Sequence, residues 1–205
     1  MTRRKVANPL ALAVLAGLEE RAMHPYEMAT TMRARHKDES IKLNFGSLYT
    51  VVEALQRHGL IEAQETEREG KRPERTVYRI TAAGSGELLD WLSELISVPT
   101  KEYLHFEAGL SLLPVLSPAQ AVELLEIRCQ TLEVDLAQRR TVGGMIAEQG
   151  VPRLFTVEFE YMTALVETEL EWTRKLIGEV KSESFESIEL WQGFHAAGSE
   201  RGSPT

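Results

Sequence analysis

Gly46-Ser47-Leu48-Tyr49-Thr50-Val51-Val52-Glu53-Ala54-Leu55-Gln56-Arg57-His58-Gly59-Leu60-Ile61 carries two signals at once. Leu48, Val51, Val52 and Leu55 recur at i, i+3, i+4 and i+7, which predicts a helix from about Gly46 to His58 with a single apolar stripe. Gly59 stops it, and Leu60-Ile61 restart the chain as a strand. The face away from the stripe carries Ser47, Tyr49, Thr50, Glu53 and Arg57. Such a helix lies on a core and offers hydrogen-bonding groups to a polar partner.

Upstream, Asn8-Pro9 reads as an N-cap followed by a first-turn proline, and Leu10, Val14, Leu15 and Leu18 carry a first helix to about Leu18. Pro25 opens a second, short helix in which Tyr26, Ala29 and Met32 share one side. His24 and His58 flank helix ends, where capping is the ordinary role. Downstream, the segment from Leu60 to Glu67 and the alternating Thr76-Val77-Tyr78-Arg79-Ile80 favour strand, and Arg68-Glu69-Gly70-Lys71-Arg72-Pro73 joins them as a basic turn. Thr81 suits the N-cap of a fourth helix, apolar at Leu88, Leu89, Trp91, Leu92, Leu95 and Ile96 and weakened at its start by Gly84 and Gly86. Three helices and then a two-stranded basic hairpin is the order of a winged helix-turn-helix. In that arrangement the third helix enters the major groove of double-stranded DNA and the hairpin reaches a neighbouring backbone.

Asn8-Pro9-Leu10-Ala11-Leu12-Ala13-Val14-Leu15, Met23-His24-Pro25-Tyr26-Glu27, Gly46-Ser47-Leu48-Tyr49, His58-Gly59-Leu60-Ile61 and Tyr78-Arg79-Ile80-Thr81-Ala82-Ala83-Gly84 follow one another in the chain. In that order they resemble the successive signatures of PadR-type transcriptional regulators, over roughly residues 6–98. The resemblance implies a dimeric repressor that holds operator DNA with its third helix and wing and releases it when a small-molecule effector binds. Carried onto this chain, it makes Ser47 and Tyr49 DNA contacts, with the Tyr49 hydroxyl on a phosphate, puts Lys71 and Arg72 in the place of the basic wing, and brings Tyr26 to the DNA backbone. Asn44, Thr50 and Arg75 complete the expected DNA-binding set. Two positions depart from the pattern: Thr50 stands where a proline often follows the tyrosine, and Pro25 where a glycine is often seen.

Beyond Pro99 the pattern is helical throughout. A short helix is expected from Glu102 to Leu112, and a long one from the cap Ser117-Pro118 to about Arg140, with Leu124, Leu125, Arg128, Leu132 and Leu136 along one side. Gly143-Gly144 and Gly150-Val151-Pro152 mark a connection, and a last long helix runs from about Leu154 to Val180. From Ala196 onward Gly, Ser and Pro predict a disordered tail. Each long helix carries more apolar positions than one neighbour covers, so a second copy of the chain is expected on them. A two-fold homodimer in turn implies an inverted-repeat operator. The longer PadR subgroup has similar dimerising C-terminal helices. The fold class is therefore mainly α: a winged helix-turn-helix DNA-binding domain over 1–98, a helical dimerisation domain over 99–195 and a tail over 196–205.

Composition is consistent with this reading. Hydrophobic residues make up 43% of the 205 and charged residues 26%, enough apolar material for a core and incompatible with wholesale disorder. The net charge of -8 hides an asymmetry: residues 1–100 hold 14 basic and 14 acidic side chains, the remainder 9 and 17. The N-terminal half is thus neutral, with basic clusters at Arg3-Arg4-Lys5, at Arg33, Arg35 and Lys37, and at the hairpin tip. The run Leu10 to Leu18 is about half the length of a membrane span, which argues against a membrane partner and for the cytoplasm. Cys129 has no second cysteine to pair with and is read as a small buried group; five scattered histidines predict no metal site, and no cofactor is expected. Trp91 and Trp172 read as core or interface residues. No Gly-rich phosphate loop, nucleophile elbow or HExxH occurs, so neither an enzyme nor catalytic residues are expected. The alternative is a winged-helix protein-interaction adaptor that binds no DNA, favoured by the acidic total and by Glu53 on the outer face of the third helix.

Overall fold

Local capping chemistry starts nearly every helix of the N-terminal unit. The Asn8 side chain accepts from the Leu10 N–H at 2.9 Å ahead of α1, Pro9–Glu20. At α2, Pro25–Ala34, His24 Nδ1 accepts from the Tyr26 N–H and the Glu27 carboxylate accepts from the His24 N–H, both at 3.0 Å. Asn44 Oδ1 accepts from the Ser47 N–H at 2.7 Å to start α3, Phe45–Arg57. The computed structural model describes residues 8–38, 40–64 and 76–199, with side chains as far as 195. The chain divides into two compact units, Met1–Lys101 and Glu102–Thr205.

In the first unit, α1 buries Leu10, Ala11, Val14, Leu15 and Leu18 against the predicted α3 stripe Leu48, Val51, Val52 and Leu55. The buried face of α2 is Pro25, Met28, Ala29 and Met32, not the expected side containing Tyr26. Pro25 itself begins the i, i+3, i+4, i+7 series, which turns Tyr26 outward. Gly59, at φ 71°, takes the left-handed position after α3, and the Leu60 N–H reaches back to the Leu55 carbonyl at 3.0 Å. The chain then enters β1, Ile61–Ala63, antiparallel to β2, Tyr78–Ile80, with Ile61 opposite Ile80 and Ala63 opposite Tyr78. Met23 adds a bridge on the far side of Tyr78. These strands are the base of the wing; residues 65–75, with Lys71, Arg72 and Arg75, lie outside the described residues.

Thr81 joins the wing to α4, Ala82–Ser97: its hydroxyl donates to the Gly59 carbonyl at 2.7 Å and accepts from the Gly84 N–H at 3.1 Å. Gly84 is required by space, because a Cβ there would sit 2.0 Å from the Leu60 carbonyl oxygen. Of the expected apolar positions of α4, Leu88 and Trp91 are buried, whereas Leu89, Leu92, Leu95 and Ile96 are exposed. Apolar residues cover more of this helix than the N-terminal core reaches.

The second unit contains α5, His105–Ser111, and three longer helices. Ser117 and Gln120 form a reciprocal capping box for α6, Pro118–Glu148. This helix does not stop near Arg140 but passes through Gly143-Gly144, where a Cβ on Gly143 would meet Phe159 at 3.5 Å. Packing on the next helix outweighs the cost of about 1 kcal/mol for each interior glycine. Arg153–Phe155 form a single 3-10 turn, so α7 starts later than Leu154, at Val157, and ends at Lys181.

Glu126 pairs with Lys181, Glu133 with Arg174 and Arg140 with Glu167. The partners step by seven residues in opposite directions on α6 and α7, a heptad ladder along an antiparallel hairpin. Beneath it Leu125, Cys129, Leu136, Leu170, Ile177 and Val180 form a core, and burial pushes the Cys129 thiol up from its ordinary value. A further helix, α8, Ile188–Ser199, was not apparent in the sequence. It buries Ile188 and Trp191, whose indole N–H donates to the Leu116 carbonyl at 2.7 Å. Residues 196–199, expected to begin a disordered tail, are helical backbone. Trp91 is a core residue, while Trp172 is exposed and meets Phe106 edge-on. Among the described residues, no helix is long and apolar enough to cross a membrane.

Candidate nucleic-acid interface

With Leu48, Val51, Val52 and Leu55 committed to the core, helical geometry turns Tyr49, Thr50, Glu53 and Arg57 outward, with Ser47 at the margin. Tyr49 is 45% exposed. Thr50 is exposed too, but its hydroxyl donates to the Gly46 carbonyl at 3.1 Å, leaving only the oxygen's lone pairs for an outside donor. Asn44, expected as a DNA contact, serves the helix itself: its Oδ1 is the N-cap acceptor, and its NH2 remains for an outside acceptor. Glu53 and Tyr49 approach the wing at Tyr78, whose phenol is pushed up by burial first and by those two neighbours after it.

Tyr26 lies on the same side of the unit as the start of α3. Its ring, 55% exposed, stacks on Phe45 with centroids 6.1 Å apart and planes 13° apart. The Arg33 guanidinium stands 4.7 Å from the Phe45 ring centroid. Phe45 and Arg33 lie outside the expected contact set: Phe45 and Tyr49 are spaced i, i+4, but a helix beginning at Gly46 leaves Phe45 outside it. The structure also separates the basic residues that the sequence groups together. Arg35 makes a two-pronged ion pair with Glu20 at the end of α1, which holds the Glu20 carboxyl below its ordinary value. Arg79 pairs across the strands with Glu62. Arg33 sits in the aromatic row instead. Tyr26, Asn44, Ser47, Tyr49 and Thr50 thus share one surface centred on the first turns of α3, whereas Lys71, Arg72 and Arg75 fall outside the described residues.

Residues 14–90, which span this whole arrangement, match the model of the transcriptional regulator PadR-like family. That stretch of the chain is similar to the PadR-like family. The solved PadR of Bacillus subtilis in complex with operator DNA is similar over 84% of this chain and 99% of its own, with a TM-score of 0.67 and 17% identity. The same regulator in complex with p-coumaric acid gives a TM-score of 0.68 at 15% identity, covering 84% of this chain and 98% of that one. The Vibrio cholerae virulence activator AphA gives 0.63 at 18% identity, over 85% and 99%. No curated protein matches the chain in sequence. At these identities the likeness is one of fold, and it includes the helices that follow the winged unit. The chain is thus mainly helical with a winged helix-turn-helix at its N-terminal end, and the matched family and the PadR structure similar to it in fold are those of transcriptional regulators.

Proposed function

We propose that this PadR-like chain is a homodimeric, sequence-specific DNA-binding repressor of the cytoplasm that a small-molecule effector releases from its operator. The observation that carries the reading is the two-sidedness of α3: an apolar stripe wholly in the core, and Ser47, Tyr49 and Thr50 turned outward beside the wing. Ser47 and the Tyr49 hydroxyl bond phosphate or base edges, Thr50 offers an acceptor, the Asn44 NH2 donates, Tyr26 lies along the backbone, and Lys71, Arg72 and Arg75 neutralise phosphates from the wing. Residues 1–98 hold DNA and 99–195 dimerise, in support of which Leu124, Ile127 and Val134 on α6 are exposed in the single chain. A two-fold dimer sets two α3 helices at half-sites about 34 Å apart on an inverted repeat. The B. subtilis PadR solved with operator DNA and with p-coumaric acid supports a regulator of this kind with a small-molecule effector.

Glu53 favours the second reading, an adaptor that binds protein and no DNA, because a carboxylate on the outer face of α3 repels phosphate. Titration of random-sequence duplex over a series of salt concentrations separates the two. The regulator binds at low salt with an affinity that falls steeply as salt rises, and replacing Lys71 and Arg72 with Ala flattens the log–log slope by up to about 2. Absence of binding at the lowest salt favours the adaptor.

A further inference from the structure

We propose that Phe45 reads the methyl group of a thymine in the major groove, its ring held in place by Tyr26 and Arg33. The inference rests on the reading of α3 as the helix that enters DNA, and it adds a contact that neither the sequence pattern nor the family match assigns.

Three observations carry it. The buried stripe of α3 is complete without Phe45, which remains 38% exposed although it is a large apolar side chain. On the helix it is four residues from Tyr49, so the two rings lie on one side of α3 and face the same partner. Finally, the ring is fixed in advance by the Tyr26 ring stacked on it and the Arg33 guanidinium 4.7 Å from its centroid. A ring already held by its neighbours loses little freedom on binding, so a contact made by it costs less entropy than one made by a free side chain.

The chemistry then selects the partner. Phe45 has no donor or acceptor, so it cannot read the polar pattern of a base edge. The apolar group that a base pair presents in the major groove is the thymine C5-methyl, and Phe is among the side chains that meet it. Arg33 beside the ring supplies a cation for the adjoining phosphates, which an apolar protein partner would have to desolvate at a cost.

The test uses the full chain and a duplex enriched by it from a random pool. Each thymine of the half-site is replaced in turn by deoxyuridine, which removes the methyl and nothing else. At one position the replacement should weaken binding about fourfold, the worth of one buried methyl-sized group. In Phe45→Ala that penalty should vanish, in Phe45→Leu part of it should remain, and Tyr26→Ala should reduce it by loosening the ring. Melting curves of the variants establish that each is folded. A methyl penalty unchanged in Phe45→Ala, or no methyl-sensitive thymine in the enriched duplex, overturns the contact and leaves DNA binding standing. No binding to any duplex at low salt removes the function and the contact together.

Discussion

Tyr49 separates binding from packing at a single oxygen. Its ring is half exposed and near the wing residue Tyr78, so a purely structural role is the competing explanation. Tyr49→Phe keeps the ring and removes the hydroxyl. If that hydroxyl bonds a phosphate, DNA affinity should fall by about 1 to 2 kcal/mol in a binding titration while the melting temperature holds. A lower melting temperature with unchanged affinity would make Tyr49 a packing residue. The two glycines at the start of α4 offer a paired prediction about folding. Gly84→Ala places a Cβ 2.0 Å from a backbone oxygen and should destabilise the chain by more than about 2 kcal/mol in urea unfolding. Gly86→Ala enters open space and should stabilise it by about 0.5 to 1 kcal/mol through helix propensity.

Two ion-pair arrangements make predictions about whole elements. On the α6–α7 hairpin, Glu133→Lys opposes two cations where Glu133 and Arg174 now pair, and should cost about 0.2 to 1 kcal/mol. Adding Arg174→Glu should restore it, and a double-mutant cycle by chemical unfolding measures the coupling. Between α1 and α2, Arg35 lowers the pKa of Glu20. Since the folded value is depressed, the pair contributes stability above the ordinary carboxylate range and loses it as pH falls through the folded value. Unfolding midpoints between about pH 3 and 7 should therefore show a smaller acid-side loss in Glu20→Gln than in the natural chain, by no more than about 1 kcal/mol because both side chains are exposed.

The elements that could be read in the sequence are those whose signals are local. Asn8-Pro9, His24-Pro25, Thr81 and Ser117-Pro118 each place a cap and a first turn within a few residues, and the stripe of α3 is complete in eight. What escaped depends on distant contacts. α8 holds through Trp191 and Ile188, whose partners include Leu116 some seventy-five residues earlier, and α6 outlasts its glycine pair because Phe159 of α7 lies against it. The outer face of α3 was legible because the stripe defines it by exclusion. The stack of Tyr26, Phe45 and Arg33 was not, since it joins α2 to α3 through a fold that the spacing of either helix alone does not reveal.

For the molecule as a whole, the proposed function makes DNA recognition depend on two linked winged units. One half-site contact is weak, and linking two raises the affinity by about 10² to 10⁴ through effective concentration. The acidic surplus of the C-terminal half suits that proposal, because it would keep those helices off the phosphates and leave the neutral N-terminal units to approach the duplex. The decisive measurement combines sedimentation of the full chain and of a fragment ending at Val98 with titration of each against an inverted-repeat duplex enriched by the full chain. The full chain should sediment as a dimer and bind two chains per duplex, and the folded, monomeric fragment should bind the same duplex at least about a hundredfold more weakly. A fragment that stays dimeric and binds as tightly as the whole would contradict the assignment of dimerisation to the C-terminal helices, and a full chain that enriches no duplex at low salt would contradict the regulator itself.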